Sequence, residues 1–238
     1  AFPNIAVNVA ATEALDYVAT ELESATKKGQ KLETAVKTLL KKLVKDNKRI
    51  VFNGNGYSEE WKKEAARRGL LNHSNTVDAL PELLKPEVVK AFEQYKVLSP
   101  AELRARYEVK LETYNKTINM EAQMMVLMAN RYILPAAFQY QTQVAHSVAA
   151  VKAAGAVSKG SRKTLDRVTG LVDEFRTRTD KLAHALEHQT ASAEKYARYF
   201  HDTVIPAMDA LREAGDRLET IVPHDLWPLP TYREMLFI

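Results

Sequence analysis

From Leu103 to Val222 apolar side chains recur every three or four residues, the period of an α-helix, with one clear break at 154–160. Leu103, Tyr107, Leu111, Tyr114, Ile118, Met125, Met128 and Tyr132 mark the first stripe, and Ala136, Tyr140, Val144 and Ala150 resume it directly after Pro135. Proline has no amide hydrogen for an interior helical bond, so the pattern predicts one long helix kinked at Pro135 rather than two helices. Leu165, Val168, Leu171, Val172, Phe175, Leu182 and Leu186 give a second arm. Tyr196, Phe200, Val204, Met208, Leu211 and Leu218 give a third, in which Pro206 repeats the mid-helix problem. The predicted arms are Pro100–Ala154, Ser161–Gln189 and Ser192–Thr220, with Gly155 and Gly160 bracketing the turn between the first two. The short 190–192 junction favours antiparallel neighbours, and the broad, irregular stripes favour a compact bundle over a solitary coiled coil.

Upstream the pattern is shorter. Ala14, Leu15, Val18, Ala19 and Leu22 predict a first helix capped by Asn8 or Thr12 and ended near Gly29. A second, Leu32 to Lys45, should bury Val36, Leu39, Leu40 and Leu43 and close an antiparallel hairpin. A brief β-rich run, Ile50-Val51-Phe52, leads into Asn53-Gly54-Asn55-Gly56, and Ser58 can cap the helix that follows. Thr76 or Asp78 starts a further short helix, Pro86 another, and Ser99-Pro100-Ala101-Glu102 carries cap, first-turn proline and N3 glutamate together. The predicted fold is mainly α: an N-terminal helical hairpin and short helices (1–99), then a long, kinked antiparallel helical bundle (100–222), then a tail (223–238).

Composition narrows the chemistry. With no cysteine, disulfides and thiolate sites are excluded, which is compatible with a cytoplasmic setting. No apolar run is long enough to span a bilayer, so no membrane partner is expected. The net charge of +4 is small, but Lys37, Lys41, Lys42 and Lys45 cluster on the second helix and are followed at once by Lys48 and Arg49. They read first as a solvated face; salt bridges to a part of the protein outside this sequence and nucleic-acid contact are the alternatives. No RNA-binding aromatic motif or helix-turn-helix signature supports the last, and no nucleic-acid partner is expected. The sequence opens at Ala1-Phe2-Pro3 without initiator methionine or signal-peptide pattern, as a truncated piece of a longer chain would.

Candidate sites are sparse. His184 and His188, four apart, would share a helical face and could hold a metal with a third ligand; two solvated histidines are the plainer reading. Glu121, among Met120, Met124, Met125 and Met128, is a candidate buried carboxylate, otherwise a partner for Arg131. The methionines and the tyrosines at 107, 114, 132 and 140 read as packing, or as a subunit interface. The 53–56 turn could cradle phosphate, but it lacks the lysine and spacing of a P-loop. Trp227, Leu229, Tyr232, Met235, Leu236 and Phe237 predict a tail packed in cis or, less favoured, against another subunit. No set of residues qualifies as a catalytic or metal site.

Four stretches resemble the C-terminal part of the long, type III glutamine synthetases. They are 3–13 (Pro-Asn-Ile-Ala-Val-Asn-Val-Ala-Ala-Thr-Glu); 51–61 with Glu64 to Asn72; Arg106-Tyr107-Glu108 through Lys116 to Ala122; and Trp227-Pro228-Leu229-Pro230-Thr231-Tyr232. Val9 and Asn55 depart from the family's usual threonine and aspartate, so no catalytic role is carried over residue by residue. The resemblance implies a parent enzyme that joins ammonia to glutamate through a γ-glutamyl phosphate, using ATP and Mg or Mn ions, assembled as a homo-oligomer of stacked rings. It places those groups in a catalytic barrel upstream and puts Asn4 and Asn8 nearest to it, where a strand would pass into the first helix. This chain by itself is then expected to hold no cofactor and no ligase activity. Its partner would be the rest of the same polypeptide, contacted through a poorly satisfied surface on the first two helices. The competing expectation is an independent helical scaffold or interaction domain whose surface is self-contained.

Overall fold

The computed structural model describes residues 2–230 and 232–236, with the side chains of Tyr232 and Arg233 outside that description. Among the described residues the fold is mainly α, with no strand. Two compact units divide it, Ala1–Lys110 and Leu111–Ile238.

The first unit opens with α1 (Phe2–Lys27) and α2 (Leu32–Asp46). Gly29, at φ +87°, makes the turn between them, a left-handed backbone that glycine adopts without Cβ strain. Helix α1 starts ten residues before Thr12. Pro3 costs nothing in a first turn, where amide hydrogens lack helical partners anyway. Val9 is buried with Ala91, Phe92, Leu98 and Leu103, and Phe2 and Ala6 pack against the same cluster. Neither Asn8 nor Thr12 caps the helix; the Thr12 hydroxyl donates back to the Asn8 carbonyl at 2.8 Å. A 3₁₀ turn (Lys48–Ile50) precedes α3 (Glu59–Arg67), so 50–52 forms no sheet. Ser58 does cap α3, accepting from the Trp61 amide at 3.2 Å. Asn75, rather than Thr76 or Asp78, caps α4 (Thr76–Ala79) by accepting from the Asp78 amide. Pro86 begins α5 (Pro86–Gln94).

Helix α6 (Pro100–Met128) starts on the capping box read from sequence. The Glu102 carboxylate accepts from the Ser99 amide at 2.8 Å, while the Ser99 hydroxyl accepts from the Glu102 amide at 3.3 Å. An N-cap of this kind stabilises a helix by about 1 kcal/mol.

The second unit holds α6 from Leu111 onward, α7 (Leu134–Ala153), α8 (Lys159–Ala185), α9 (Ala193–Tyr199) and α10 (Ile205–Glu219). Helix α8 packs against both α7 and α10. Its Val168, Val172, Phe175 and Leu182 are at most 2% exposed and form the middle of the core. A π-helical turn joins α6 to α7 (Ala129–Ile133), and another joins α9 to α10 (Phe200–Val204). Each lies just ahead of a proline, Pro135 or Pro206. The Leu134 amide reaches the Ala129 carbonyl and the Ile205 amide the Phe200 carbonyl, five residues back. Widening one turn lets the helix run through a residue that can neither donate nor tolerate the usual carbonyl approach. The first arm is therefore one kinked helical run. Gly155 (φ +78°) makes the following turn, whereas Gly160 lies inside α8, which Ser158 caps.

Helix α8 ends at Ala185, four residues short of Gln189. The Tyr199 hydroxyl donates to the Ala185 carbonyl at 2.9 Å and the Tyr199 ring lies 4.1 Å from that of His188. A packed side chain thereby satisfies a terminal carbonyl and holds the departing strand of chain in place of another helical turn.

Candidate functional site

The sequence candidates for chemistry do not converge. Because α8 stops at Ala185, His184 and His188 do not share a helical face: His184 lies 3.1 Å from Glu187 on the surface, and His188 stacks on Tyr199. Glu187 is thus the partner of His184. Glu121 is exposed rather than buried. Among the described residues no three histidine, aspartate or glutamate side chains lie where they could hold a metal ion. One shallow hollow of about 270 Å³ is lined by Gln143, Ser147 and Ser161 among others, and one of about 250 Å³ lies beside Asn115. Asn115 is nearly buried and donates to the Ala193 carbonyl at 2.9 Å, tying α6 to α9.

The 51–61 stretch is a folded turn, and side chains occupy it. Phe52 stacks on Trp61 with ring centres 4.3 Å apart, and a Cβ on Gly54 would meet the Phe52 ring at 2.5 Å. A side chain at 54 would have to displace the ring that folds back over it and its stack on Trp61. Asn55 accepts from the Tyr57 amide at 3.0 Å, and Arg68 donates to the Val51 carbonyl at 2.7 Å. Arg68 in turn is fixed by Glu64 at 2.5 Å, which also takes two bonds from Arg67. Hydrogen bonds from Arg67 and then Arg68 pull the Glu64 carboxyl down to about 2. A folded-state value below the ordinary 4.5 means that the contribution of Glu64 is complete above that pH and is lost as pH falls through 2. Glu64→Gln is therefore expected to flatten the acid limb of stability over that window, read as thermal midpoint against pH. An unchanged acid limb would show that the pair does not hold the turn.

The same unit carries most of the large apolar side chains exposed among the described residues. Helix α2 buries only Ala35 and Leu39; Leu40, expected in the core, is 55% exposed, with Leu32 at 60% and Val44 at 65%. On α1, Leu15, also expected inside, is 69% exposed and Val7 68%. Asn4, Asn8, Ala11 and Leu15 follow one another at three- or four-residue steps and are all exposed, so both asparagines sit on this face, within helix rather than at a strand-to-helix junction. Tyr17 and Glu21 hold Lys42 across the hairpin, at 2.7 and 3.5 Å, and together raise its pKa. Sequence periodicity missed the exposed face because it cannot tell an apolar stripe covered within the chain from one left open.

In the second unit Trp227 packs against the bundle core, while Met235 and Leu236 are exposed and Phe237 lies outside the described residues. No helix among the described residues is long and apolar enough to cross a membrane.

The described residues define an all-helical domain whose first two helices leave large apolar side chains exposed. The sequence pattern of the glutamine synthetase C-terminal domain matches residues 35–152, from α2 to the end of α7. Type-3 glutamine synthetase of Dictyostelium discoideum is 33% identical over 100% of this chain and 33% of its own length. Glutamine synthetase of Butyrivibrio fibrisolvens is 31% identical over 88% of this chain and 30% of its own, and that of Bacteroides fragilis 29% over 98% and 33%. The chain belongs to the glutamine synthetase family, as the C-terminal domain of its type III, long form. It spans about a third of the length of the curated relatives it matches.

Proposed function

We propose that this chain supports a glutamate–ammonia ligase by packing the exposed face of α1 and α2 against the catalytic part of the same polypeptide. The observation that carries this is the exposure of Val7 and Leu15 on α1 and of Leu32, Leu40 and Val44 on α2, each more than half exposed. Apolar surface of that extent on one hairpin is stabilised by a covering surface. A self-contained scaffold would bury it. The asparagines at 4 and 8 share the face, which favours a positioning role at the contact over chemistry.

The parent reaction, ATP-dependent ligation through γ-glutamyl phosphate with Mg or Mn ions, needs metal carboxylates and anion-stabilising groups at one centre. The described residues of this chain do not fit that group: they offer no carboxylate cluster, and Phe52 fills the only turn considered for phosphate. No step of the reaction is assigned to them. A homo-oligomeric parent and a cytoplasmic setting follow from the same family reading.

Calorimetry of the 238-residue chain with ATP, glutamate and magnesium is expected to show no shared saturable site. In a polypeptide carrying the chain behind a glutamine synthetase catalytic segment, Leu40→Ser with Val44→Ser should lower both ligase activity and thermal stability, while the isolated chain keeps its melting temperature. Stoichiometric nucleotide binding by the isolated chain, or full indifference of the joined polypeptide, would count against the proposal.

A further inference from the structure

Two rows run side by side along the exposed flank of α2. Leu32, Val36, Leu40 and Val44 are each four residues apart; one position on, Lys37, Lys41 and Lys45 form a second row that Lys48 and Arg49 extend. Residues four apart on an α-helix are offset by about 40°, so each row is an inclined ridge, the apolar one turning about 120° around the helix over some 18 Å of axis. Ala35 and Leu39, on the side away from the lysine row, are buried where α2 packs on α1.

Charge is concentrated there. Residues 31–49 hold seven basic side chains against Glu33 and Asp46, an excess of five, in a chain whose whole net charge is +4; all the rest therefore carries one excess acid. Lys37 pairs with Glu33 and Lys42 with Glu21 and Tyr17. Lys41, Lys45, Lys48 and Arg49 have no side-chain partner among the described residues.

We infer that α2 docks an acidic, amphipathic protein helix: one with an apolar ridge that covers Leu32, Leu40 and Val44 and a flanking row of carboxylates that meets Lys37, Lys41 and Lys45. The inference rests on the reading that this face is covered in the complete polypeptide, and adds the chemistry of what covers it. Four-residue rows are the ridges by which helices interdigitate. Rows of opposite charge set register and steer encounter, and a cationic surface is rejected. The apolar ridge is narrow, one residue wide along its inclined line, which suits a helical groove better than the broad apolar face with which helices lie in a bilayer.

Fluorescence anisotropy with labelled peptides of roughly 20 residues tests this on the 238-residue chain. One peptide carries a leucine ridge flanked by glutamates; its control replaces every glutamate by lysine. The acidic peptide should bind saturably and weaken about 10-fold or more between roughly 50 and 300 mM salt, with a similar loss in Lys37→Glu/Lys41→Glu/Lys45→Glu. Leu40→Ser/Val44→Ser should also weaken it, and helix content should persist in both variants because the changed side chains face solvent. Equal binding of the lysine peptide, no binding of the acidic one, or capture by phosphatidylserine vesicles with no peptide binding would each overturn the inference.

Hydrogen exchange on the joined polypeptide separates the two levels. Protection of α2 that disappears on the triple charge reversal supports the acidic partner. Protection indifferent to the reversal overturns the acidic partner and leaves the covered face standing. Exchange as fast as in the isolated chain removes the covered face itself, and the inference with it.

Discussion

Phe175→Ala is expected to remove about 3–5 kcal/mol from the stability of the 111–238 unit. Phe175 is 1% exposed at the middle of α8, the helix packed against both α7 and α10. Its ring lies against Gly215 of α10, where an added Cβ would come within 3.3 Å of it. Glycine there lets α10 approach closely, so truncating the ring opens a cavity between two backbones that are already near each other and cannot collapse much further. Chemical denaturation in a Trp61→Phe background, with Trp227 as the only fluorescent indole, reads this unit. Gly215→Ala alone should be mildly destabilising, and in the Phe175→Ala background it should recover part of the loss by filling the space. A Phe175→Ala loss below about 1 kcal/mol, or additive behaviour of the two changes, would mean that the ring is not the contact between these helices.

Deleting Asp209, an exposed side chain within α10, should be at least as damaging, about 4 kcal/mol or more. The π-helical turn at Phe200–Val204 holds one residue more than an α-helical turn would, so a deletion inside it closes to α-geometry with the helix beyond in nearly the same register. A deletion in the regular part of α10 has no such slack and turns everything downstream by about 100°. Leu211, Ala214 and Leu218, all at most 2% exposed, would swing off the core while charged neighbours swing toward it. Pro206→Ala tests the opposite case. Alanine is compatible with both turn geometries, so the core should keep the register and stability should change by about 1 kcal/mol or less. Circular dichroism melts of the two variants check the pair. A deletion tolerated like the proline change would show that α10 can rotate freely.

The helical character of this protein was legible from spacing. So were the three arms, the Ser99–Glu102 capping box and the Ser58 cap, because each depends on local contacts within a few residues. Asn75 replaced Thr76 and Asp78 as a cap for an equally local reason, a choice between adjacent side chains that only a backbone geometry settles. The family, too, was readable from short stretches whose order and spacing suffice. For the candidate site, the basic residues of α2 were legible as a solvated face, but the exposure of its apolar residues was not.

What periodicity leaves open is what covers a stripe. Leu15 and Leu40 have the same spacing whether a neighbouring helix buries them or not, and only the packing of α1 on α2 and α5 shows them turned outward. Likewise a proline inside a helical pattern says that the ladder must change without saying how. Two widened turns, rather than breaks, follow from the core on either side of each, which fixes the rotation of both flanking helices. The early stop of α8 is decided by Tyr199, fourteen residues further along the chain, which takes the place of the next turn. Spacing and caps act within a turn or two of helix and are written in the sequence. Exposure, register across a proline and the end of a helix against a distant side chain are set by which surfaces meet, and only the tertiary structure decides them.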